Sequence, residues 1–207
     1  MTEAADLLRA GIEEIGFRYS EKQIDAFITY LEELKKWNKA YNLTGLKTDR
    51  DIIIKHFLDS LLFARALPTE ALTLADIGSG AGFPGIPIKI MFPYLSVFLI
   101  EPTQKKALFL QHICSKLQFK NVEIMDKRIE EVKGLQVDVA ATRALFSIRE
   151  FIAKTTNILI KKGLLILSKG PGLEKELEGL AQNNISITDF KLPFEDIIRH
   201  MVVVKVL

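Results

Sequence analysis

The sequence predicts an α/β fold, a mostly parallel sheet closed at its C-terminal end by an antiparallel hairpin and preceded by a helical extension. Three observations carry this expectation. From Leu72 onward, short apolar strand candidates alternate with helical segments, the pattern of a parallel sheet covered on both faces. The last two strand candidates are joined by a Pro193-containing connection too short for a helical crossover, so they should pair antiparallel. Before residue 70, apolar residues recur at helical spacing.

Taken in order, Ser20 followed three residues later by Gln23 is a capping-box signature. Ile24, Phe27, Ile28, Leu31 and Leu34 then repeat with helical period to about Trp37. A loop is expected over Asn38–Thr48. A further helix follows over roughly Asp49–Leu67, with Ile52, Ile53, Phe57, Leu58, Leu61 and Leu62 on its apolar side and Pro68 as its stop. The strand candidates are Leu72–Ile77, Val97–Glu101, Val122–Met125, Val137–Ala141, Gly163–Ser168, Ile185–Phe190 and Met201–Val206. Helices are expected at Gln104–Leu117 and Phe146–Ile160. The chain thus divides into a helical extension, residues 1–70, packed on a ligand-binding α/β domain, residues 71–207.

At 207 residues the chain can bury a large core, and its 26% charged and 48% hydrophobic residues are ordinary for a globular protein. The longest apolar stretch, Ile86–Ile100, is broken by Pro87, Lys89 and Pro93, so no membrane span is expected. The first residues carry acids where a secretory signal carries bases, and a cytoplasmic location is the expectation. Cys114, the only cysteine, sits in an apolar helical pattern and reads as a small buried hydrophobe. His112 and His200 show no metal spacing with it, and no metal site is expected. The net charge of +2 does not announce a nucleic-acid partner. Its distribution is more suggestive: Lys35, Lys36, Lys39, Lys47, Arg50 and Lys55 face only Asp49 and Asp51 in their stretch, and Lys105 to Arg128 is a second basic stretch.

The most informative segment is residues 74–87, where a short apolar strand runs into Gly78, Gly80 and Gly82, with Gly85 just before an apolar helix. Glycines allow the positive φ and the close backbone approach of a strand-to-helix turn that touches a ligand. The helix start offers unpaired N–H groups for an anionic ligand group. The next strand ends in Glu101, 23 residues after Gly78, placed to accept hydrogen bonds from both ribose hydroxyls of a nucleoside. A dinucleotide enzyme normally repeats the βαβαβ half and adds a catalytic domain. One glycine turn with a terminal hairpin suits a Rossmann-like, class I S-adenosylmethionine (AdoMet)-dependent methyltransferase fold better. No GxxxxGK[ST] loop is present.

Several stretches resemble one family, the bacterial 16S rRNA guanine-N7 methyltransferases called RsmG or GidB. They are Trp37-Asn38-Lys39-Ala40-Tyr41-Asn42-Leu43-Thr44, His56-Phe57-Leu58-Asp59-Ser60, the glycine turn Asp76 to Pro87, Arg128-Ile129-Glu130-Glu131, Thr142-Arg143-Ala144 and Ser168-Lys169-Gly170. The resemblance implies methyl transfer from AdoMet to N7 of a guanine in 16S rRNA, with rRNA or the small ribosomal subunit as partner and a monomeric enzyme. It implies that Gly78 and Phe83 line the cofactor site, beside the turn glycines Gly80 and Gly82 already singled out as cofactor contacts, that Ile129 and Glu130 approach the adenine, and that Arg143 sits near the methyl donor or the target base. The family usually has Asp where this chain has Glu101, which changes reach but keeps both acceptor oxygens.

Guanine N7 carries a lone pair and no proton, so its methylation requires no general base. The sequence shows no His, Cys or Ser constellation, and no Asn-Pro-Pro-Tyr or Asp-Pro-Pro-Tyr tetrapeptide. Alignment of nucleophile and methyl group is then the main task. Arg143, Lys169 and Arg128 are the candidate catalytic residues, assigned to positioning through O6 or phosphate rather than to proton transfer. Asn42, His56 and Lys169 are the candidate substrate contacts. Each has a structural alternative: a salt bridge for Arg143, an ion pair with Asp59 for His56, a turn or cap for Asn42. Trp37 could stack on a base, but its spacing favours the core. Two rival functions remain, a non-catalytic AdoMet- or RNA-binding regulator and a nicotinamide-dependent reductase.

Overall fold

The structure is a computed structural model that describes residues 3–143, 145–180 and 184–206. Seven strands form one sheet in the order β3-β2-β1-β4-β5-β7-β6: β1 (Thr73–Ile77), β2 (Ser96–Ile100), β3 (Val122–Met125), β4 (Val137–Arg143), β5 (Leu159–Lys169), β6 (Ile185–Lys191) and β7 (Ile198–Lys205). The first five run parallel. β7 is inserted antiparallel between β5 and β6, as the short final connection requires. The chain order reverses between β1 and β4. Such a switch point leaves a crevice beyond the C-terminal strand ends, where open α/β sheets bind ligands.

Alternate residues of each strand feed two cores, as a pleated sheet demands. Leu74, Leu99, Val139 and Ile166 join a hydrophobic cluster shared with α1 (Glu3–Ile15), α2 (Glu21–Tyr41), α4 (Asp59–Ala64), α5 (Gly85–Met91) and α6 (Gln104–Lys116). Ala75, Ile77, Ile100, Ala140 and Leu165 face the opposite cluster, closed by Ile148 and Phe151 of α7 (Ile148–Thr155). α5 is buried throughout, Lys89 included, because the Lys89 ammonium donates to the carbonyls of Pro93 (2.8 Å) and Leu95 (2.5 Å). Cys114 is buried, and burial pushes its thiol up to about 12.

Three helix boundaries differ from the sequence expectation. α2 starts where the capping signature places it, with the Ser20 N–H donating to Gln23 Oε1 at 2.8 Å, but it runs to Tyr41 rather than Trp37. Asn42, in the left-handed region at φ 49°, ends it and returns its N–H to the Asn38 carbonyl. The expected loop therefore begins four residues later. The helix expected over Asp49–Leu67 consists of α3 (Asp49–Ile52), a π-helical segment (Ile53–Leu58) and α4 in direct succession. α7 is shorter than Phe146–Ile160. A second capping box, Ser147 with Glu150, sets its start. At its other end, early pairing of Leu159 with Val137 draws the chain into β5.

Candidate active site

The glycine turn follows β1 at the switch point. Gly78, Gly80 and Gly82 all lie at positive φ (71°, 61° and 103°), which permits the reversal from strand to helix. The N–H groups of Gly78 and Ser79 bond to the Ile100 carbonyl at 2.8 and 3.1 Å, which stitches the turn to the end of β2. The Gly80 N–H donates to Glu101 Oε2 at 2.8 Å, while Glu101 Oε1 accepts from the Thr103 N–H at 2.9 Å. Glu101 is buried, and one backbone donor to each oxygen fixes the direction of its carboxylate.

The expectation of free amides at the start of the following helix is corrected by Asp76. Its Oδ2 accepts the Gly85 N–H at 2.8 Å, and the Ile86 N–H returns to Gly82, so the start of α5 is satisfied internally. Among the described residues this helix start therefore keeps the Gly85, Ile86 and Ile88 amides for the protein itself rather than for an anionic ligand group. Asp76 is fully buried, its Oδ1 has no partner among the described residues, and desolvation raises its pKa to about 7. The turn is not bare of side chains either: a Cβ at Gly78 would meet Leu145 Cδ2 at 2.2 Å, so Leu145 lies over this glycine.

Beside the turn, four segments meet around Arg143 at the end of β4. Its Nη1 donates to the Lys55 carbonyl (3.0 Å) and to Asp59 Oδ2 (3.3 Å), and its Nη2 contacts His56 Nδ1 at 2.9 Å. The π-helical turn makes the first bond possible. The Asp59 N–H bonds to Ile54 and His56 and bypasses Lys55, its α-helical acceptor, so that carbonyl is available to the guanidinium. Asp59 is buried and also accepts from Arg199 Nε at 2.6 Å, so one carboxylate spans two arginines. Phe83 lies beneath: its ring stacks on His56 at 4.3 Å, and the Arg143 guanidinium carbon is 5.1 Å from its centroid. Tyr30 of α2 stacks on Phe83 and donates to the Ala81 carbonyl, tying the N-terminal helices to the glycine turn. Lys55, His56, Asp59, Arg143, Ser168, Lys169, Gly170 and Arg199 line a cleft of about 320 Å³.

His56 is neutral here. Burial, with the Arg143 charge as the next cause, lowers its pKa to about 3. Because Arg143 can only donate, Nδ1 is the acceptor and Nε2 carries the proton, which it gives to Thr44 Oγ1 at 2.6 Å. The ion pair with Asp59 considered from sequence spacing is not formed, since Asp59 is taken by the arginines. Between about pH 3 and 6.5 the unfolded chain binds a proton on this histidine that the native state does not, so the His56 contribution to stability falls as pH falls. Asp76 acts oppositely. Its folded pKa is raised, so its contribution is present below about 3.8 and lost as pH rises to about 7. His56→Gln should remove the first slope. The stability difference between wild type and variant is then expected to grow by about 1.4 kcal/mol per pH unit from about pH 4 to 6. Urea midpoints across that range measure it, and a flat difference would show an ordinary histidine.

The structure brings most of the sequence candidates together: Gly78, Gly80, Gly82 and Glu101 at the turn, with Phe83, His56, Arg143 and Lys169 around the adjoining cleft. Lys169 is held, its ammonium 2.8 Å from Glu176 Oε2 and 2.5 Å from the Phe146 carbonyl. Ile129 is buried in the cluster containing Ile77 and Ile100, beneath the ends of β1 and β2. Glu130 is exposed and ion-paired with Lys154. Arg128 is exposed, with its N–H on the Glu131 carboxylate at 2.9 Å, and Asn42 is an exposed helix cap. None of these three lines the cleft. Ala144, part of the Thr142-Arg143-Ala144 motif, lies outside the described residues. Sequence reasoning gave no role in the site to Asp76, Thr44, Lys55, Arg199 or Tyr30. Asp76 carried a signal, an acid in an otherwise apolar strand two residues before the first turn glycine.

The strand order, the antiparallel β7 and the glycine turn at the switch point define a class I, Rossmann-like methyltransferase fold. Solved structures share it at low identity. A ribosomal protein L11 methylase from Lactobacillus delbrueckii aligns with TM-score 0.56 and 16% identity over 73% of this chain and 78% of its own. An rRNA methylase from Streptococcus thermophilus gives 0.51 and 16% over 72% and 95%, and M. jannaschii TYW2 in complex with AdoMet gives 0.51 and 17% over 70% and 74%. The family model GidB, rRNA small subunit methyltransferase G, matches residues 23–200, and the chain belongs to that family. Proteins named ribosomal RNA small subunit methyltransferase G are similar over nearly the whole length. That of Acetivibrio thermocellus is 36% identical, covering 96% of this chain and 87% of the relative, and that of Neisseria meningitidis serogroup B is 34% identical, covering 97% and 98%.

Proposed function

We propose that this protein transfers the methyl group of AdoMet to N7 of a guanine in small-subunit 16S rRNA. The observation that carries the choice of N7 is that, among the described residues lining the cleft, the imidazole and the carboxylate that could serve as a base are both engaged. His56 is neutral with both ring nitrogens engaged, and Asp59 is held between two guanidinium groups. A nucleophile that must lose a proton would find no acceptor among them, whereas N7 needs none.

The residues at the turn fit an adenosyl ligand. Space is open outside Gly80, where a Cβ would meet nothing nearer than the Gly78 carbonyl at 4.0 Å. Glu101 stands beside it with lone pairs left for two ribose hydroxyls, and Asp76 Oδ1 is a buried acceptor without a partner among the described residues. Gly78, Gly80, Gly82 and Glu101 would hold the cofactor, with Phe83 as the floor and Ile129 and Glu130 on the adenine side, once Leu145 swings off Gly78. When bound, AdoMet supplies an electrophilic methyl group: the N7 lone pair forms the new N–C bond, the S–C pair stays on sulfur, and the positive charge passes to the purine.

The chain's own residues position the purine. Arg143 is locked by the Lys55 carbonyl, His56 and Asp59, and presents its remaining N–H groups to guanine O6 or a phosphate. Lys169, Arg128 and Asn42 would serve the RNA backbone around it, His56 orients Arg143, and dry packing by Phe83 shields the reaction. On this reading residues 1–70 are an extension that supplies Lys55, His56 and Asp59 to the cleft wall, residues 71–207 are the AdoMet-binding domain, and the enzyme works as a cytoplasmic monomer. Among the described residues no helix is long and apolar enough to cross a membrane.

The test is labelled methyl transfer to small-subunit RNA with the product mapped by nuclease digestion. Label on guanine N7 supports the proposal; label on another atom, or binding of S-adenosylhomocysteine with no turnover on any RNA, rejects it. Arg143→Lys should lose the fork that reaches Lys55 and His56 together. Single-turnover transfer is expected to fall about 10- to 100-fold, the worth of one or two charge-assisted bonds, with cofactor affinity little changed. Full activity in that variant would remove Arg143 from the positioning role.

A further inference from the structure

The aromatic residues of α2 form a column that ends in solvent. Trp37 packs on Phe109 (ring centroids 5.6 Å apart) and on His112 (4.9 Å), both on α6, and Tyr41 packs on Trp37 at 5.3 Å with the planes inclined by 31°. The spacing in sequence favours core packing for Trp37 over base stacking. The structure makes it the half-buried second layer and leaves Tyr41, 42% exposed, as the outer one. α2 and α6 run antiparallel here, since Glu33 meets His112 and Lys116 whereas Trp37, one turn further along α2, meets Phe109 and His112. One turn above Phe109 and His112, beside Tyr41, stand Lys105 and Leu108 by helical spacing. Leu108 is 48% exposed. Lys105 and Lys39 are exposed and form no ion pair among the described residues. The acids next to this patch are engaged, Glu33 by His112 and Asp49 by Lys35.

The patch adjoins the reaction cleft. Tyr41 and Thr44 are three peptides apart, at most about 11 Å between Cα atoms, and Thr44 Oγ1 contacts His56 in the cleft wall. Asn38 keeps that span folded back, with its side chain bonded to both the N–H and the carbonyl of Thr44. We propose that Tyr41, backed by Trp37 and flanked by Lys39 and Lys105, is a stacking platform for a base of the single-stranded RNA next to the methylated nucleotide. This rests on the RNA methyltransferase reading above. An exposed ring on a rigid aromatic column, with unpaired cations at its rim, is what a splayed-out base and its phosphates require.

The test is steady-state methyl transfer to small-subunit RNA by the full chain, with RNA concentration varied at saturating AdoMet. Tyr41→Ala is expected to raise KM for RNA about 10- to 100-fold, the range for loss of one stacked base, with kcat and S-adenosylhomocysteine affinity unchanged. Tyr41→Phe, which keeps the ring, should retain the wild-type KM. Lys39→Gln and Lys105→Gln should each lower the slope of log Kd for RNA against log salt by about 1, a slope that Tyr41→Ala leaves alone. An unchanged KM in active Tyr41→Ala overturns the platform while the methyltransferase reading stands. Loss of kcat or cofactor binding instead would make Tyr41 structural, and a change in oligomeric state in place of KM would give the patch to a second copy; both overturn the proposal. A wild-type protein that methylates no RNA would fail the underlying reading first and the platform with it.

Discussion

Asp59→Ala is expected to destabilise the protein by about 3 kcal/mol, the low end for removing one partner of a buried ion pair. Asp59 is only 3% exposed, and its two oxygens take Arg199 Nε and Arg143 Nη1 separately. Without it, two guanidinium groups face each other across a cavity with no counter-charge. The low end applies because both arginine side chains keep some water, at 19% and 25% exposure. For a chain of this size the loss corresponds to roughly 6–12 °C in Tm. Asp59→Asn should cost nearly as much, since the amide offers one acceptor and turns an N–H₂ toward the second arginine. Methyl transfer should fall further than folding alone explains, because Arg143 would keep only the Lys55 carbonyl and His56. A Tm within about 2 °C of wild type in both variants would show that solvent, not Asp59, compensates these arginines.

The same carboxylate marks where reading the sequence ran out. The parallel strands were legible because continuous apolar runs such as Leu164–Leu167 admit little else, and the terminal hairpin because Pro193 sits in a connection too short to cross over. Gly78, Gly80 and Gly82 announced a turn whose positive φ values are those observed. Local rules failed where two elements distant in sequence decide the outcome. Asp59 looked like a helix partner of His56, three residues away, yet it serves residues 84 and 140 positions along the chain. No spacing rule flags the π-helical turn that frees the Lys55 carbonyl, because the group that takes that carbonyl is an arginine 88 positions away on β4. The end of α2 could have been read better: Asn42 is a residue that tolerates the left-handed cap, and Trp37 with Tyr41 continues the helical period. The helix-start anion site failed for a different reason, since Asp76 from the preceding strand had already supplied the negative group.

Two glycines of one turn should respond oppositely to the same added methyl group. Gly80→Ala is expected to fold, at a cost of about 1–2 kcal/mol for an alanine at φ 61°, because the new Cβ enters open space rather than protein. That space is where the cofactor's approach to main chain is proposed. The intruding methyl should weaken S-adenosylhomocysteine binding by an overpacking cost of about 1–3 kcal/mol, or about 10- to 100-fold in Kd. Gly85→Ala differs in kind. Its Cβ would lie 2.5 Å from Leu99 Cδ2 and 2.9 Å from Asp76 Oδ2, inside the core and against the carboxylate that caps α5. Its expected signature is lost stability, with binding falling only as far as the folded fraction does. Calorimetric titration and thermal melts on both variants separate the two effects. If Gly80→Ala bound the demethylated cofactor as tightly as wild type, the ligand would not rest on this turn, and the assignment of Glu101 to its ribose would fall with it.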